Sequence, residues 1–153
     1  MESWNQDRFD RLLGLEVKFV QDNHSQSDKN VLRGLHFQNS PFEQGKLIRC
    51  VKGKIYDVAV DIRKESKSFG EWTSIILDDT FHDQLWIPKG FAHGYRTLED
   101  NTEVMYKADE FYDPDDYKGF IWNDKNIGID WGVSVEDELI LSDQDAAYGN
   151  FNA

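Results

Sequence analysis

Apolar residues in this chain follow two different periods. Over residues 4–14, Phe9, Leu12 and Leu13 recur at helical spacing and Gly14 supplies a stop, so the pattern predicts one N-terminal helix. After that the period shortens to that of strands. Runs rich in β-branched and aromatic residues predict strands over 17–21, 31–37, 47–51, 55–62, 72–77, 84–87, 94–98 and 103–108. Polar or Gly/Pro turns such as Lys52-Gly53-Lys54 and Pro88-Lys89-Gly90 separate them. About eight short strands in succession predict an antiparallel sandwich or jelly roll. The C-terminal third is less regular. Asp109–Asp116 is acidic and carries Pro114, Ile127-Gly128-Ile129-Asp130-Trp131 reads as a packed closing segment, and Leu141–Ala147 starts a short helix capped by Ser142. The last residues, Gly149 to Ala153, read as frayed.

The expectation is therefore an all-β fold with a short N-terminal helix and a minor C-terminal one, in a single domain over residues 1–153. Hydrophobic residues at 39% and aromatics at 14% exclude a disordered chain. The formal net charge of −12 argues against nucleic acid and anionic membrane as partners. An anionic substrate must then meet a local group of cations, for which Arg33, Lys46 and Arg49 are the candidates. No apolar run approaches the ~20 residues that span a bilayer. Met1 to Gln6 has neither a basic start nor an apolar stretch, so the cytoplasm is expected. The single cysteine, Cys50, excludes an intramolecular disulfide and reads as a buried, inert thiol in the run Leu47–Val51.

Candidate chemistry is spread over separate strand-like segments. In Val31-Leu32-Arg33-Gly34-Leu35-His36-Phe37-Gln38, Arg33 and His36 face opposite ways on a regular strand. A shared site therefore needs a bulge, and Gly34 is where one forms. An imidazole titrates near neutrality and suits removal of a proton from carbon, although a hydrogen-bonded core histidine fits the same residue. Lys46, opening a strand after Gly45, either turns inward toward a developing enolate oxygen or phosphate or sits on an exposed strand edge. His93, in Phe91-Ala92-His93-Gly94, is placed to donate to a carbonyl, a phosphate or backbone. Tyr106 shares a face with Val104 and Ala108 on the core side, where a phenol finds a structural partner or serves as a general acid. Asp57 and Asp61 lie opposite Tyr56, Val58 and Val60, and an aspartate on a central strand needs a partner such as histidine. The four histidines include no His-x-His pair, so no metal site is expected. There is no glycine-rich phosphate loop either.

Taken in order, Gln21–Ser25, Asn30–Gln38, Gln44–Leu47, Tyr56–Arg63, Gln84–Pro88, Gly90–Gly94 and Tyr106-Lys107, with Trp122–Asp124 and Ile127–Trp131, resemble the dTDP-4-dehydrorhamnose 3,5-epimerase family. The resemblance runs from residue 2 to residue 147. It implies a cupin-type jelly-roll sandwich, a homodimer, and a reaction without cofactor or metal. The implied substrate is a dTDP-linked nucleotide sugar, dTDP-4-dehydro-6-deoxyglucose, inverted at C3 and C5 beside its C4 ketone. By the matching motifs, His36 is the base, Tyr106 returns a proton from the opposite face, and Lys46 stabilises the enolate oxygen. Asp145 orients His36 and raises its pKa by charge pairing. Arg33, Gln21, Asn23, His93 and Tyr112 hold the sugar and diphosphate, and Glu2 matches a position near the nucleotide.

The chain departs from the family pattern in three places. A family segment with an Asp-x-Arg-Gly-x-Phe motif ends just before the position of Met1, so the domain is expected to lack that extreme N-terminal segment. Tyr117 stands where many members have an acidic residue, and the loop before Asp145 is about two residues longer. Two other functions fit the same residues: a C3-only epimerase of a related dTDP-sugar, and a non-catalytic nucleotide-sugar-binding domain.

Overall fold

The computed structural model describes residues 1–151. One helix, α1 (Gln6–Leu13), precedes nine strands: β1 (Gln21–Ser27), β2 (Leu32–Gln38), β3 (Lys46–Lys52), β4 (Lys54–Asp61), β5 (Trp72–Asp78), β6 (Gln84–Ile87), β7 (Phe91–Thr97), β8 (Thr102–Ala108) and β9 (Tyr117–Gly119). A short helix, α2 (Asp143–Ala147), follows. The strands form two antiparallel sheets, ordered β1-β8-β3-β6 and β5-β4-β7-β2-β9. The expected all-β jelly-roll sandwich is the architecture found.

Helix α1 starts where the Asn5 side chain accepts from the Arg8 amide at 3.0 Å and stops at left-handed Gly14. Of its three apolar residues, only Phe9 packs, in an aromatic cluster with Trp4, Phe19 and Trp86. Leu12 is 83% exposed, so the predicted apolar face is only partly used.

The strand predicted over 17–21 is a correction. Phe19 leaves that segment for the aromatic cluster, and the strand instead begins at Gln21 and runs through Gln-Asp-Asn-His-Ser-Gln-Ser, which has no apolar residue. It is a strand because β8 offers it a full antiparallel ladder, from Gln21 opposite Ala108 to Ser27 opposite Thr102. Its inward side chains line a cavity rather than a core, so it lacks the apolar alternation that marks a half-buried strand. The predicted limits of β7 were also too short, since it already begins at Phe91.

Two apolar layers hold the sandwich. Between the sheets lie Ile48, Cys50, Ile55, Ala59, Leu77, Ile87, Tyr95 and Val104. On the outer face of the five-stranded sheet, Leu32, Leu35, Val58, Val60 and Ala92 pack under Phe120, Ile127 and Trp131. The predicted closing segment thus covers this sheet, with the Trp131 indole donating to the Trp122 carbonyl at 2.8 Å. The expected fraying is corrected for residues 149–151. Phe151 stacks on Phe120 and Phe69, and its amide donates to Asp124. Asn152 and Ala153 lie outside the described residues.

Candidate active site

The site begins with the anticipated break in β2. Pairing with β7 shifts register between Arg33 and His36, so both side chains turn to the inner face. Gly34 makes this possible. Its φ is +112°, and a Cβ there would lie 2.6 Å from both Gly94 Cα and the His93 carbonyl oxygen.

His36 Nε2 lies 2.5 Å from Asp145 Oδ1, and Asp145 is 2% exposed. Ser142 caps α2, accepting from the Asp145 amide at 3.0 Å and donating its hydroxyl to Asp145 Oδ2 at 2.8 Å. The Gly34 amide also donates to this carboxylate, at 3.3 Å. Burial pushes the Asp145 pKa up, but the bonds from His36, Ser142 and Gly34 outweigh it and hold the carboxyl below its usual range. For His36 the order is reversed. Burial lowers its pKa more than Asp145 raises it, so the imidazole lies below its ordinary value of 6.5 and is neutral at neutral pH. The charge-pairing effect expected of Asp145 is present but does not set the net direction. With Asp145 ionised, Nε2 carries the hydrogen and donates it, which leaves Nδ1 as the basic nitrogen.

The facing sheet supplies a cation and a phenol. Lys46 on β3 is 7% exposed, and burial lowers its pKa to about 8 while the charge of Asp57 partly offsets the shift. Its Nζ lies 5.8 Å from the Tyr106 ring centroid. Burial raises the Tyr106 pKa and the nearby Tyr95 phenol adds to it, so Tyr106 keeps its proton. Asp57 is fully buried and accepts from His93 Nε2 through both oxygens at 3.0 Å, the histidine partner expected for it. Asp61 pairs instead with Arg63, Ser66 and Ser68.

These groups open onto one cavity of about 240 Å³, lined by Arg33, His36 and His93 from one sheet and by Asn23, Lys46 and Tyr106 from the other. A second hollow of about 340 Å³ shares Asn23, Lys46, Tyr106 and Tyr117 with it and adds Gln21, Gln44, Tyr112 and Gln144. Gln21 donates to Asn23 and accepts from the Tyr112 amide, which fixes this rim. The Asn23 amide nitrogen and Arg33 Nε are buried without a protein partner, as donors awaiting a ligand or water would be.

Nine of the ten anticipated site residues therefore gather around two connected hollows: His36, Lys46, Tyr106, Asp145, Arg33, Gln21, Asn23, His93 and Tyr112. Glu2 does not join them. It bonds Asn5 and Arg8 beside α1. Arg49 is also elsewhere, on the opposite face of β3 beside Trp4 and Met105. Cys50 is buried and its pKa is pushed up to about 11, as an inert thiol requires. Among the described residues no three His, Cys, Asp or Glu side chains converge as a metal site.

Sequence reasoning missed the cavity-lining roles of Ser25, Gln44, Tyr95, Gln144 and Tyr117. The alternate polar residues of Gln21–Ser27 were the available signal for Ser25. A three-residue edge strand gives none for Tyr117.

The family model for dTDP-4-dehydrorhamnose 3,5-epimerase matches residues 1–153. The dTDP-4-dehydrorhamnose 3,5-epimerase of Salmonella typhimurium is 54% identical over 142 residues, covering 93% of this chain and 78% of that one. The dTDP-6-deoxy-D-glucose-3,5-epimerase of Legionella pneumophila, solved in complex with dTDP-4-keto-L-rhamnose, superposes with a TM-score of 0.92 at 43% identity, over 97% of this chain and 78% of that one. ChmJ, a 3'-monoepimerase of Streptomyces bikiniensis solved with dTDP-quinovose, gives a TM-score of 0.89 at 27% identity, over 97% and 74%.

Proposed function

The chain belongs to the dTDP-4-dehydrorhamnose 3,5-epimerase family, and on that premise we propose that it converts dTDP-4-dehydro-6-deoxyglucose to dTDP-4-dehydrorhamnose by inverting C3 and C5. The observation that carries the mechanism is that base and phenol come from opposite sheets. His36 projects from β2 and Tyr106 from β8 into the same cavity, so a sugar between them meets a base on one face and an acid on the other.

Both inverted carbons flank the C4 ketone, so each C–H is acidic only while its electrons can move onto that oxygen. His36 Nδ1 takes the proton, and the C–H pair becomes the enolate double bond. Negative charge develops on the C4 oxygen, where the Lys46 ammonium stabilises it. Tyr106 then delivers its proton to the opposite face of the carbon, and the ketone reforms with inverted configuration. Asp145 supports the imidazolium that forms transiently. Arg33, Asn23 and Gln21 provide hydrogen-bond donors for the sugar and diphosphate. His93 lines the same cavity with its Nε2–H held by Asp57, and Tyr112 stands at the rim.

The proposal extends to a homodimer in the cytoplasm, the setting that family membership implies. Among the described residues no helix is long and apolar enough to cross a membrane. Light scattering of the purified protein tests the dimer. The reaction is tested by proton NMR of dTDP-4-dehydro-6-deoxyglucose with the protein in deuterated water, with and without chelator. Chelator-insensitive deuterium at C3 and C5 is expected. Deuterium at C3 alone would make it a mono-epimerase, and tight binding without exchange would leave a binding domain.

A further inference from the structure

We propose that Tyr117 is a positioning residue for the base: its ring closes the side on which the His36 imidazole would otherwise meet water and helps hold that imidazole against Asp145. The inference rests on the epimerase reading, since it concerns what keeps that reaction's base in place.

Strand β9 is three residues long and forms the outer edge of its sheet. Its register on β2 sets His36 opposite Gly119 and Gln38 opposite Tyr117. Tyr117 is therefore the diagonal neighbour of His36 on the inner face, within reach of a long aromatic side chain. The two rings lie 5.1 Å apart, tilted by 43°. Tyr112 stands behind Tyr117 at 5.2 Å, edge to face. The Tyr148 ring lies 5.8 Å from the imidazole and directly over Gly119, where a Cβ would come within 2.5 Å of it. The imidazole is thus bounded by Tyr117, Tyr148 and the Asp145 carboxylate.

The geometry assigns this role to the ring rather than to the hydroxyl. No described hydrogen bond uses the Tyr117 oxygen. Burial, reinforced by Tyr106, Tyr148, Asp145 and Tyr112, raises this phenol's pKa far above the ordinary range, so it stays protonated. The other titratable or charged groups around His36 include Asp145 on α2, Tyr148 just after it, Arg33 on β2, Lys46 on β3, His93 on β7 and Tyr106 on β8. Of the two tyrosine rings packed near the imidazole, Tyr117 is the closer, at 5.1 Å against 5.8 Å for Tyr148.

Three variants test the inference: Tyr117→Ala, Tyr117→Leu and Tyr117→Phe. The readouts are kcat and KM against pH, together with an NMR titration of the His36 ring that needs no turnover. Removing the ring admits water, so in Tyr117→Ala the His36 titration and the acid limb of kcat/KM move up toward the ordinary histidine value. A looser base costs on the order of tenfold to a hundredfold in kcat, with a smaller change in KM. Tyr117→Phe keeps the ring and should restore the wild-type titration and most of kcat, with Tyr117→Leu between the two. If Tyr117→Ala titrates like the wild type, or Tyr117→Phe is as impaired as Tyr117→Ala, the inference is wrong. Should Tyr117→Ala fail to fold, the ordering of Phe and Leu decides the matter. An inactive wild type would overturn the epimerase reading, while the ring titration would still report on Tyr117.

Discussion

Between the two sheets, the side toward β5 and β6 is filled by Ile48, Ile55, Leu77, Ile87 and Val104, whereas the side toward β1 and β9 is lined by Asn23, Ser25, His36, Lys46 and Tyr106. Both sides use the same antiparallel ladders, and several strands contribute to both. What differs is the chemistry of alternate inward residues. On β3, Lys46 opens into the cavity while Ile48 and Cys50, two and four residues on, enter the core. Apolar side chains draw the sheets together, and polar ones leave them apart around a cavity. Two cross-sheet hydrogen bonds span the polar side: Ser25 to Tyr95 at 3.0 Å, and Arg33 to Ser27 at 3.1 Å. The fold therefore separates stability and chemistry by position along a strand, and each should be separately breakable.

The largest expected effect lies on the polar side. His36→Ala removes the base while leaving the apolar layer intact, so turnover should fall about 10²- to 10⁴-fold, with deuterium exchange lost at both C3 and C5. Stability should fall by about 1–3 kcal/mol, because the buried Asp145 carboxylate loses one of its partners. Near wild-type turnover in this variant would sink the mechanism.

The counterpart on the apolar side is Leu77→Ala. Leu77 is fully buried between the sheets and lines neither hollow. The variant should lose about 2–5 kcal/mol of stability while the folded fraction keeps its kcat. Denaturant unfolding and activity measured on the same samples check this. A parallel loss of kcat would show that the two sides are coupled.

The same contrast explains what could be read in the sequence. Strands on the apolar side carry β-branched alternation, and β3, β4, β5 and β6 fall within a residue or so of their predicted limits. β1 was displaced because a strand whose inward face is wet has no apolar signal, and its extended form comes from pairing with β8. Within the site, the Gly34 bulge followed from strand parity once Arg33 and His36 were required to share a face. Asp145 was reachable only through the family resemblance, since 109 residues separate it from His36 in sequence. Tyr117 had no local signature, because its position depends on β9 pairing with β2.

A smaller effect concerns pH and sharpens the roles on the polar side. His36 must be neutral to accept a proton, and its pKa lies below 6.5, so activity should rise with pH through an acid limb below that value. Lys46 must be charged to stabilise the enolate, and its pKa lies near 8, so activity should fall as pH climbs through about 8. Lys46→Arg keeps a charge that does not titrate in this range, so kcat should drop because guanidinium geometry differs, and the alkaline limb should disappear. An alkaline limb unmoved in Lys46→Arg would belong to another group.

The smallest effect concerns the bonds that span the cavity. Ser25→Ala breaks the cross-sheet bond to Tyr95 but keeps the β1–β8 ladder, so stability should fall by about 0.5–1.5 kcal/mol, less than for Leu77→Ala. The Tyr95 hydroxyl then loses the partner that draws its pKa down against the upward push of burial, so the phenol should titrate at still higher pH. A spectrophotometric tyrosine titration reads this directly. If stability instead falls as far as in Leu77→Ala, the polar side is not merely spanned by this bond but depends on it to keep the sheets in register. The separation of stability from chemistry would then hold only for the apolar side.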